Sequence, residues 1–417
     1  IKQQKNMLFF ADLHIHSKYS RATSKEMVPE MIWKWAQIKG ITVVGTGDFT
    51  HPAWLKELKD KLKPCGNGLF SLKTEFSADD IPDLCRADVF FMLSAEISSI
   101  YTKYGKTRKI HSLILVPDID DAEKIQKALS FLGNISSDGR PILGLDAKTL
   151  LDIVLDICPD ALVIPAHAWT PHFSVFGSSG FDSLFECYED RACHISAIET
   201  GLSSDPSMNR MISALDSISL VSNSDAHSPS KIGREANIIN AELSYKGIIN
   251  AIKTKDGLVG TVEFYPEEGK YYHDGHRACG VNFTPEDTIR HGYICPICGK
   301  KLTVGVLHRV RTLADRKRGF KPEGAPSALY LIPLIEIIGN VLNVGPNSKK
   351  AENMYWRTIR ALGNELKILK DIPLDDVEKA GMSLISDAIS RVRSGHVHIT
   401  PGFDGSYGKI KIPGFAV

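Results

Sequence analysis

Seven short apolar runs alternate with segments of helical spacing between residues 7 and 262, and this alternation constrains the fold more than any other feature. The runs are Met7–Leu13, Ile41–Thr46, Val89–Ala95, His111–Pro117, Ala161–Ala166, Ile195–Glu199 and Leu220–Asn223. Between them, Met27–Lys39, Asp120–Phe131, Ala147–Ile157 and Tyr245–Lys253 place apolar residues three and four apart. Apolar runs of strand length read as strands buried on both faces, and helical crossovers make such strands parallel. A (β/α) barrel takes roughly 250 residues. The expected class is therefore α/β, with one sheet or barrel over residues 1–262.

The polar residues at the ends of these runs carry the chemistry. His14 and His16 follow the first run, Asp48 the second and Glu96 the third. His167 ends the fifth, Asp225 and His227 follow the last, and His111 opens the fourth. In a parallel α/β barrel the strand C-termini meet at one rim, so these side chains are expected in one bowl. Mixed imidazole and carboxylate ligands with open positions suit Zn2+, Mn2+, Fe(II) or Mg2+ and the acidification of bound water. Glu96, central among the imidazoles, is the expected bridging ligand, and Glu96, Asp225 and His227 are the candidate catalytic residues. Asp12, two residues before His14, either orients it or serves the fold.

After residue 262 the character changes. His276 and Cys279 are separated by two residues, then fifteen residues lead to Cys295 and Cys298, again separated by two. Two such knuckles close a tetrahedral site for one structural Zn2+, with His273 as a competing ligand. The other cysteines, Cys65, Cys85, Cys158, Cys187 and Cys193, are scattered and read as incidental thiols. Charge also shifts: residues 1–262 hold 28 Lys+Arg against 32 Asp+Glu, whereas residues 263–417 hold 22 against 17. The excess peaks between Lys300 and Lys321, where eight cations face Asp315 alone. Lys300, Lys301, Arg309, Arg311, Arg316, Lys317 and Arg318 are the expected contacts to a nucleic-acid backbone. Helical patterns at Met354–Leu369 and Val377–Arg393 follow. Residues 263–318 are expected as a zinc-binding domain and 319–417 as a mainly helical DNA-binding region.

The order D-L-H-x-H at Asp12–His16, Glu96 in S-A-E, His111, P-A-H at His167 and S-D-A-H at Asp225–His227 resembles the PHP (polymerase and histidinol phosphatase) family. That resemblance implies a distorted (β/α)7 barrel holding two or three divalent ions and hydrolysing phosphoesters. Two places depart from the family pattern. Asp48, in Thr46–Gly47–Asp48, stands where the family has a histidine ligand, and Arg21 or Ala22 stands where it has an acid or histidine. His51 is a candidate to compensate. Over the whole chain, the barrel motifs, the H-x2-C and C-x2-C knuckles, the G-V-L-H-R-V stretch and the terminal G-F-D-G-x-Y-G-K resemble the endonuclease Q family. That likeness implies recognition of deaminated bases (uracil, hypoxanthine, xanthine) and abasic sites in DNA. It also implies cleavage 5′ to the lesion, leaving a 3′-hydroxyl and a 5′-phosphate.

A zinc knuckle, a basic patch and an Arg-bearing tail favour a DNA enzyme over a metabolite phosphatase, because they neutralise phosphates and fix register. An exonuclease or phosphatase of the same superfamily, and a DNA-binding protein with a vestigial barrel, are the alternatives. Enzymes that inspect one base extrude it. Trp169, His172, Phe173 and Phe176, in the loop after His167, are the expected lesion-pocket residues, unless the loop packs them on the barrel. DNA is the expected partner. A sliding clamp is a second, although no clear clamp motif is visible. The N-terminal stretch lacks a signal peptide's apolar core, and no apolar run spans a bilayer, so the expected place is the cytoplasm, at the nucleoid.

Overall fold

The structure, a computed structural model, describes residues 6–415. Its fold is mixed α/β. The principal strands are β1 (Met7–Asp12), β2 (Val43–Gly45), β3 (Phe90–Lys103), β4 (Lys106–Val116), β5 (Leu162–Pro165), β6 (Ala197–Glu199), β7 (Ser219–Val221), β8 (Ala236–Ala241), β9 (Leu258–Glu263) and β10 (Ser327–Tyr330). Each predicted run overlaps one of β1 to β7, and the helices Pro29–Lys39, Ile119–Ser130, Ala147–Ile157 and Tyr245–Thr254 fall where the spacing put them.

The sheet is not uniformly parallel, which corrects the reading of the runs as all-parallel strands. β1–β2 and β2–β3 are parallel, as are β6–β7 and β9–β10. β3–β4, β4–β5, β1–β8 and β8–β9 are antiparallel. Two local features explain this. Tyr104 and Gly105, with φ of +53° and +71°, form a two-residue turn of the kind that returns a strand on itself, so β3 and β4 become a hairpin. The chain from β7 to β8 carries Asp225 and His227 and re-enters the sheet from the rim it has just left, so β8 runs against β1.

Asn237 seals the gap between β7 and β8. Its Oδ1 accepts from Ser222 N at 3.0 Å, and its Nδ2 donates to Ser222 O and to Asn223 Oδ1, both at 2.9 Å. Across the next gap Ala168 N donates to Glu199 O at 2.9 Å, linking the ends of β5 and β6. Asp12 is buried and does not orient His14. Its oxygens accept from Ser224 N and Gly233 N, at 3.0 and 2.9 Å, so it fixes the loop that carries Asp225.

The chain beyond residue 262 is tied to this sheet. β10 adds an edge strand to β9. Helix Glu365–Lys370 packs against Pro29–Lys39, Trp356 of Lys349–Leu362 meets Trp35, and Leu334–Leu342 joins them through Glu365. The Glu365 carboxylate accepts from Lys39 Nζ at 2.5 Å, Tyr355 Oη at 2.7 Å and Leu334 N at 3.0 Å. A buried ion pair of this kind is stable because every oxygen is used. No helix among the described residues is long and apolar enough to cross a membrane.

Candidate functional site

The strand ends bring His14, His16, Glu96, His111, His167, Asp225 and His227 together, arranged as three overlapping triads. His14, His16 and Glu96 form one, Glu96, His111 and His167 the second, and His16, Asp225 and His227 the third, each with its ligand atoms within 4.8 Å of one another. Glu96 is shared by two triads. Its Oε1 lies 2.8 Å from His111 Nδ1 and 3.0 Å from His167 Nε2, while Oε2 faces His16 Nε2 at 3.3 Å. His111 lies inside β4 rather than at its start. It reaches the cluster because the β3–β4 hairpin overhangs the rim, with Ser98 opposite His111.

Four of the imidazoles are held by the nitrogen that points away from the cluster. His14 Nδ1 is 3.0 Å from Glu199 Oε2, and His16 Nδ1 is 3.1 Å from Asp48 Oδ1. His167 Nδ1 is 3.0 Å from Thr170 Oγ1, and His227 Nδ1 is 2.9 Å from Asp225 O. Such contacts fix tautomer and ring angle and leave the other nitrogen free as a ligand. His167 Nε2 meets Glu96 Oε1, but two of the inward nitrogens lack partners. His14 Nε2, His16 Nε2 and Asp225 Oδ1 are buried without a hydrogen bond, although His16 Nε2 and Asp225 Oδ1 are 2.9 Å apart. Buried polar atoms are normally satisfied. Unpartnered lone pairs converging from imidazole and carboxylate fit divalent cations.

Backbone strain marks the same place. His167, Asp225, Asp48 and Phe173 have φ of +29°, +47°, +50° and +59°, a region that non-glycine residues rarely adopt. Gly201, at φ +59°, lies against His167, and a Cβ there would come within 2.6 Å of the His167 Cβ. The cluster opens on one side. Asp225, His227 and Arg140 side chains are 27%, 31% and 24% exposed, whereas His14, His16 and Glu96 are at 0%.

Several expectations are corrected here. Asp48 faces the back of His16 and the Ser17 and Ser20 hydroxyls, which donate to its Oδ2 at 2.6 and 2.8 Å, so it orients His16 and stands outside the three triads. His51 caps the helix Pro52–Lys61 and bonds Ser136 O, away from the cluster. Trp169 and Phe176 are 1% and 2% exposed, with ring centroids 4.8 Å apart, and Trp169 Nε1 donates to Asn209 Oδ1 at 2.7 Å. They are core residues, because the loop folds inward over an apolar patch. Trp169→Ala should cost about 3–5 kcal/mol of stability without changing which base is preferred; thermal melts beside cleavage of paired substrates check this. His172 is exposed and Phe173 half-buried, its ring 4.7 Å from that of His111.

The basic stretch is also mostly internal wiring. Arg309 donates to Phe176 O and Phe181 O at 3.0 Å and pairs with Asp182 at 2.6 Å. Arg316 grips Asp216 with both nitrogens, at 2.9 and 2.6 Å, and Arg311 pairs with Glu286 at 2.7 Å. Arg318 donates to Tyr272 Oη at 3.4 Å. Arg309 and Arg316 thus tie the module to the sheet, while Arg311 and Arg318 pair within the module and stay exposed. Lys300, Lys301 and Lys317 are exposed.

Glu199 and Arg140 escaped the sequence reading. Glu199 is fully buried, ends β6, and also accepts from His167 N at 2.7 Å and Asn223 Nδ2 at 2.8 Å. Its position at a strand end was the available signal. Glu199→Gln keeps the size and removes the charge, and should weaken cation binding at the His14 triad about 10–100-fold. Titration against a competing chelator measures this; unchanged affinity would mean His14 is held otherwise.

The second cluster lies in the module after residue 263. His276, Cys279, Cys295 and Cys298 have their ligand atoms within 4.8 Å of one another. A hairpin of Asp274–His276 and Val281–Phe283 supplies the first pair, and a turn in which Gly299 N donates to Cys295 O supplies the second. Burial raises the Cys295 thiol, but the backbone N–H groups of Cys298 and Ile297 outweigh it and bring it down to about 7. His273 is engaged by Asn282 at 2.9 Å, which leaves His276 as the fourth member.

Comparison with known proteins agrees with this architecture. The family model described as the MJ0043 C-terminal domain matches residues 333–396. The protein MJ0043 of Methanocaldococcus jannaschii is 33% identical over 252 residues; the match covers 58% of this chain and 31% of that protein, so the chain spans about a third of this relative. The crystal structure of the lesion-specific endonuclease PfuEndoQ from Pyrococcus furiosus superposes with a TM-score of 0.85 at 34% identity, covering 98% of this chain and 96% of that one. A structure of endonuclease Q with a 27-mer duplex bearing an abasic lesion at the active site gives 0.84 at 34% identity, covering 98% and 97%. The fold and the site thus define a hydrolase of the DNA endonuclease class. The chain belongs to the endonuclease Q family.

Proposed function

We propose that this chain uses divalent cations to cut DNA at deaminated bases (uracil, hypoxanthine, xanthine) and at abasic sites, hydrolysing the phosphodiester 5′ to the lesion. The products carry a 3′-hydroxyl and a 5′-phosphate. The observation that carries the reading is the convergence of three His/carboxylate triads at one rim, with His14 Nε2, His16 Nε2 and Asp225 Oδ1 unpartnered, in a chain alike over nearly its full length to a lesion-specific endonuclease. The molecule divides into a distorted (β/α)7-type barrel over residues 1–262, a zinc module over 263–318 and a helical region over 319–417. It works inside the cell on nucleoid DNA. The comparisons give no support to a sliding clamp as partner.

Two or three ions, Zn2+, Mn2+ or Mg2+, would be held by His14, His16, Glu96, His111, His167, Asp225 and His227. When bound they would supply charge stabilisation at a phosphoryl group and a water of lowered pKa. The chain's own residues do the positioning. Glu199 and Asp48 hold His14 and His16 at the angle a ligand needs, Glu96 spans two triads, and Asp225 and His227 line the open side. His276, Cys279, Cys295 and Cys298 would take one structural Zn2+, with all four positions filled by protein. His172 and Phe173, at the rim beside His111, are the remaining candidates to meet an extruded base. Lys300, Lys301 and Lys317 are the remaining candidates for backbone phosphates.

End-group mapping tests this. Labelled duplexes with one deoxyuridine, deoxyinosine or abasic site, beside undamaged duplex, should each give one product ending just 5′ of the lesion and ligatable as a 3′-hydroxyl. Mononucleotide release, or equal cutting of undamaged duplex, would refute it.

A further inference from the structure

We infer that Arg140 binds the phosphate that is cleaved, an inference that rests on the DNA-cleaving reading above. Arg140 belongs to the segment between the helix Ile119–Ser130 and the short strand Ile142–Leu143, which gives no metal ligand. Yet its side chain enters the cluster, with Nη1 3.1 Å from Glu96 Oε2.

The backbone around it is fixed on both sides. Gly139 N donates to Tyr19 O at 3.0 Å, and Arg140 N donates to Asp138 Oδ1 at 3.1 Å. Ser98 N donates to Pro141 O at 3.0 Å, and Ile142–Leu143 pairs with Ser98 and Ser99 of β3. A Cβ on Gly139 would collide with the Asp48 carboxylate and the Ser20 hydroxyl, so this turn is packed directly against the groups that orient His16. An arginine held this way is placed before any ligand arrives, which is what electrostatic preorganisation requires.

The guanidinium is not needed to satisfy Glu96, which already meets His111 and His167 on Oε1 and His16 on Oε2. It carries five donors, and among the described residues it makes the single side-chain bond to Glu96. Its side chain is 24% exposed, on the side where Asp225 and His227 are also accessible. A guanidinium presents a planar fork that matches two oxygens of a phosphate. A phosphodiester oxygen bound beside Glu96 would lie within reach of this fork. The structure therefore assigns Arg140 to the non-bridging oxygens of the scissile group, where charge grows as the bond breaks.

The test compares binding of two abasic-site duplexes, one with an ordinary scissile phosphate and one with a neutral methylphosphonate there, beside the undamaged duplex. Binding is measured in chelator by wild type, Arg140→Ala and Arg140→Lys. The readout is the ratio of methylphosphonate to phosphate Kd, so it needs no turnover and no loaded cation. Arg140→Ala should lower this ratio about tenfold relative to wild type, as losing one charge-assisted contact would, and Arg140→Lys should fall between. An unchanged ratio in folded Arg140→Ala, verified by its melting temperature, overturns the assignment. A wild type that binds lesion and undamaged DNA alike would instead count against the parent reading.

Discussion

Glu96→Gln should lower the rate of lesion cleavage on the order of 1000-fold while leaving the fold and DNA affinity in place. Glu96 lies at the middle of the cluster and is 1% exposed. Burial disfavours its carboxylate, but the imidazoles of His111 and His14 hold it well below the usual carboxylate range. It is therefore ionised at neutral pH and offers two triads an anionic oxygen. Glutamine has the same shape and can still meet His111 and His167, so packing survives. What disappears is the charge that two cation sites share. Single-turnover kinetics should show the loss in the cleavage step, and elemental analysis should show fewer bound ions per chain. A variant within tenfold of wild type would mean that Glu96 is not the shared ligand.

The second large effect concerns the module after residue 263. Its separate apolar core consists of Val281, Cys295 and Leu302, with Cys279 and Phe283 packed beside them. A core that small cannot offset the entropy of ordering its loops and needs a staple. Structural zinc supplies about 10–16 kcal/mol of apparent binding energy in small zinc domains. Cys298→Ser should therefore lose one zinc equivalent and open the segment around the knuckles to proteolysis. Loss of cleavage should follow. Asp274, in the same hairpin as His276, accepts from His308 at 2.6 Å, and Arg309 beside it ties down the loop that follows His167. A variant that keeps its zinc and resists protease as well as wild type would contradict this.

Much of this was legible in the residues because burial and periodicity are local properties. Six of the seven candidate ligands at the rim follow or end apolar runs, and a strand's end is set by its own sequence. His111 was located by its run although it sits within the strand. What escaped depended on partners far along the chain. Glu199 reads as one more strand-end carboxylate until folding brings it to His14, 185 positions away. Arg140 lies in a segment without periodicity, and the Gly139–Tyr19 bond and the register of Ile142–Leu143 on β3 carry it to Glu96. Asp48 was misread because it follows a strand as a ligand would, whereas the Gly47–Asp48 turn directs it behind His16. Trp54 fixes that turn by donating to Gly47 O at 2.8 Å. The antiparallel β3–β4 pair was written in Tyr104–Gly105 but outweighed by the apolar pattern on either side. The arginines of the basic stretch were counted as free charge, and pairing with Asp182, Asp216 and Glu286 is visible only in three dimensions.

The most direct test of the central claim is the cation requirement of cleavage at a single lesion. Protein stripped of ions and supplied with a labelled abasic-site duplex should be inactive. Adding Mn2+ should then produce one product at the lesion, in wild type and not in Glu96→Gln. Full cleavage in the presence of excess chelator, or a Mn2+-dependent product that Glu96→Gln makes equally well, would contradict the assignment of the chemistry to this cluster.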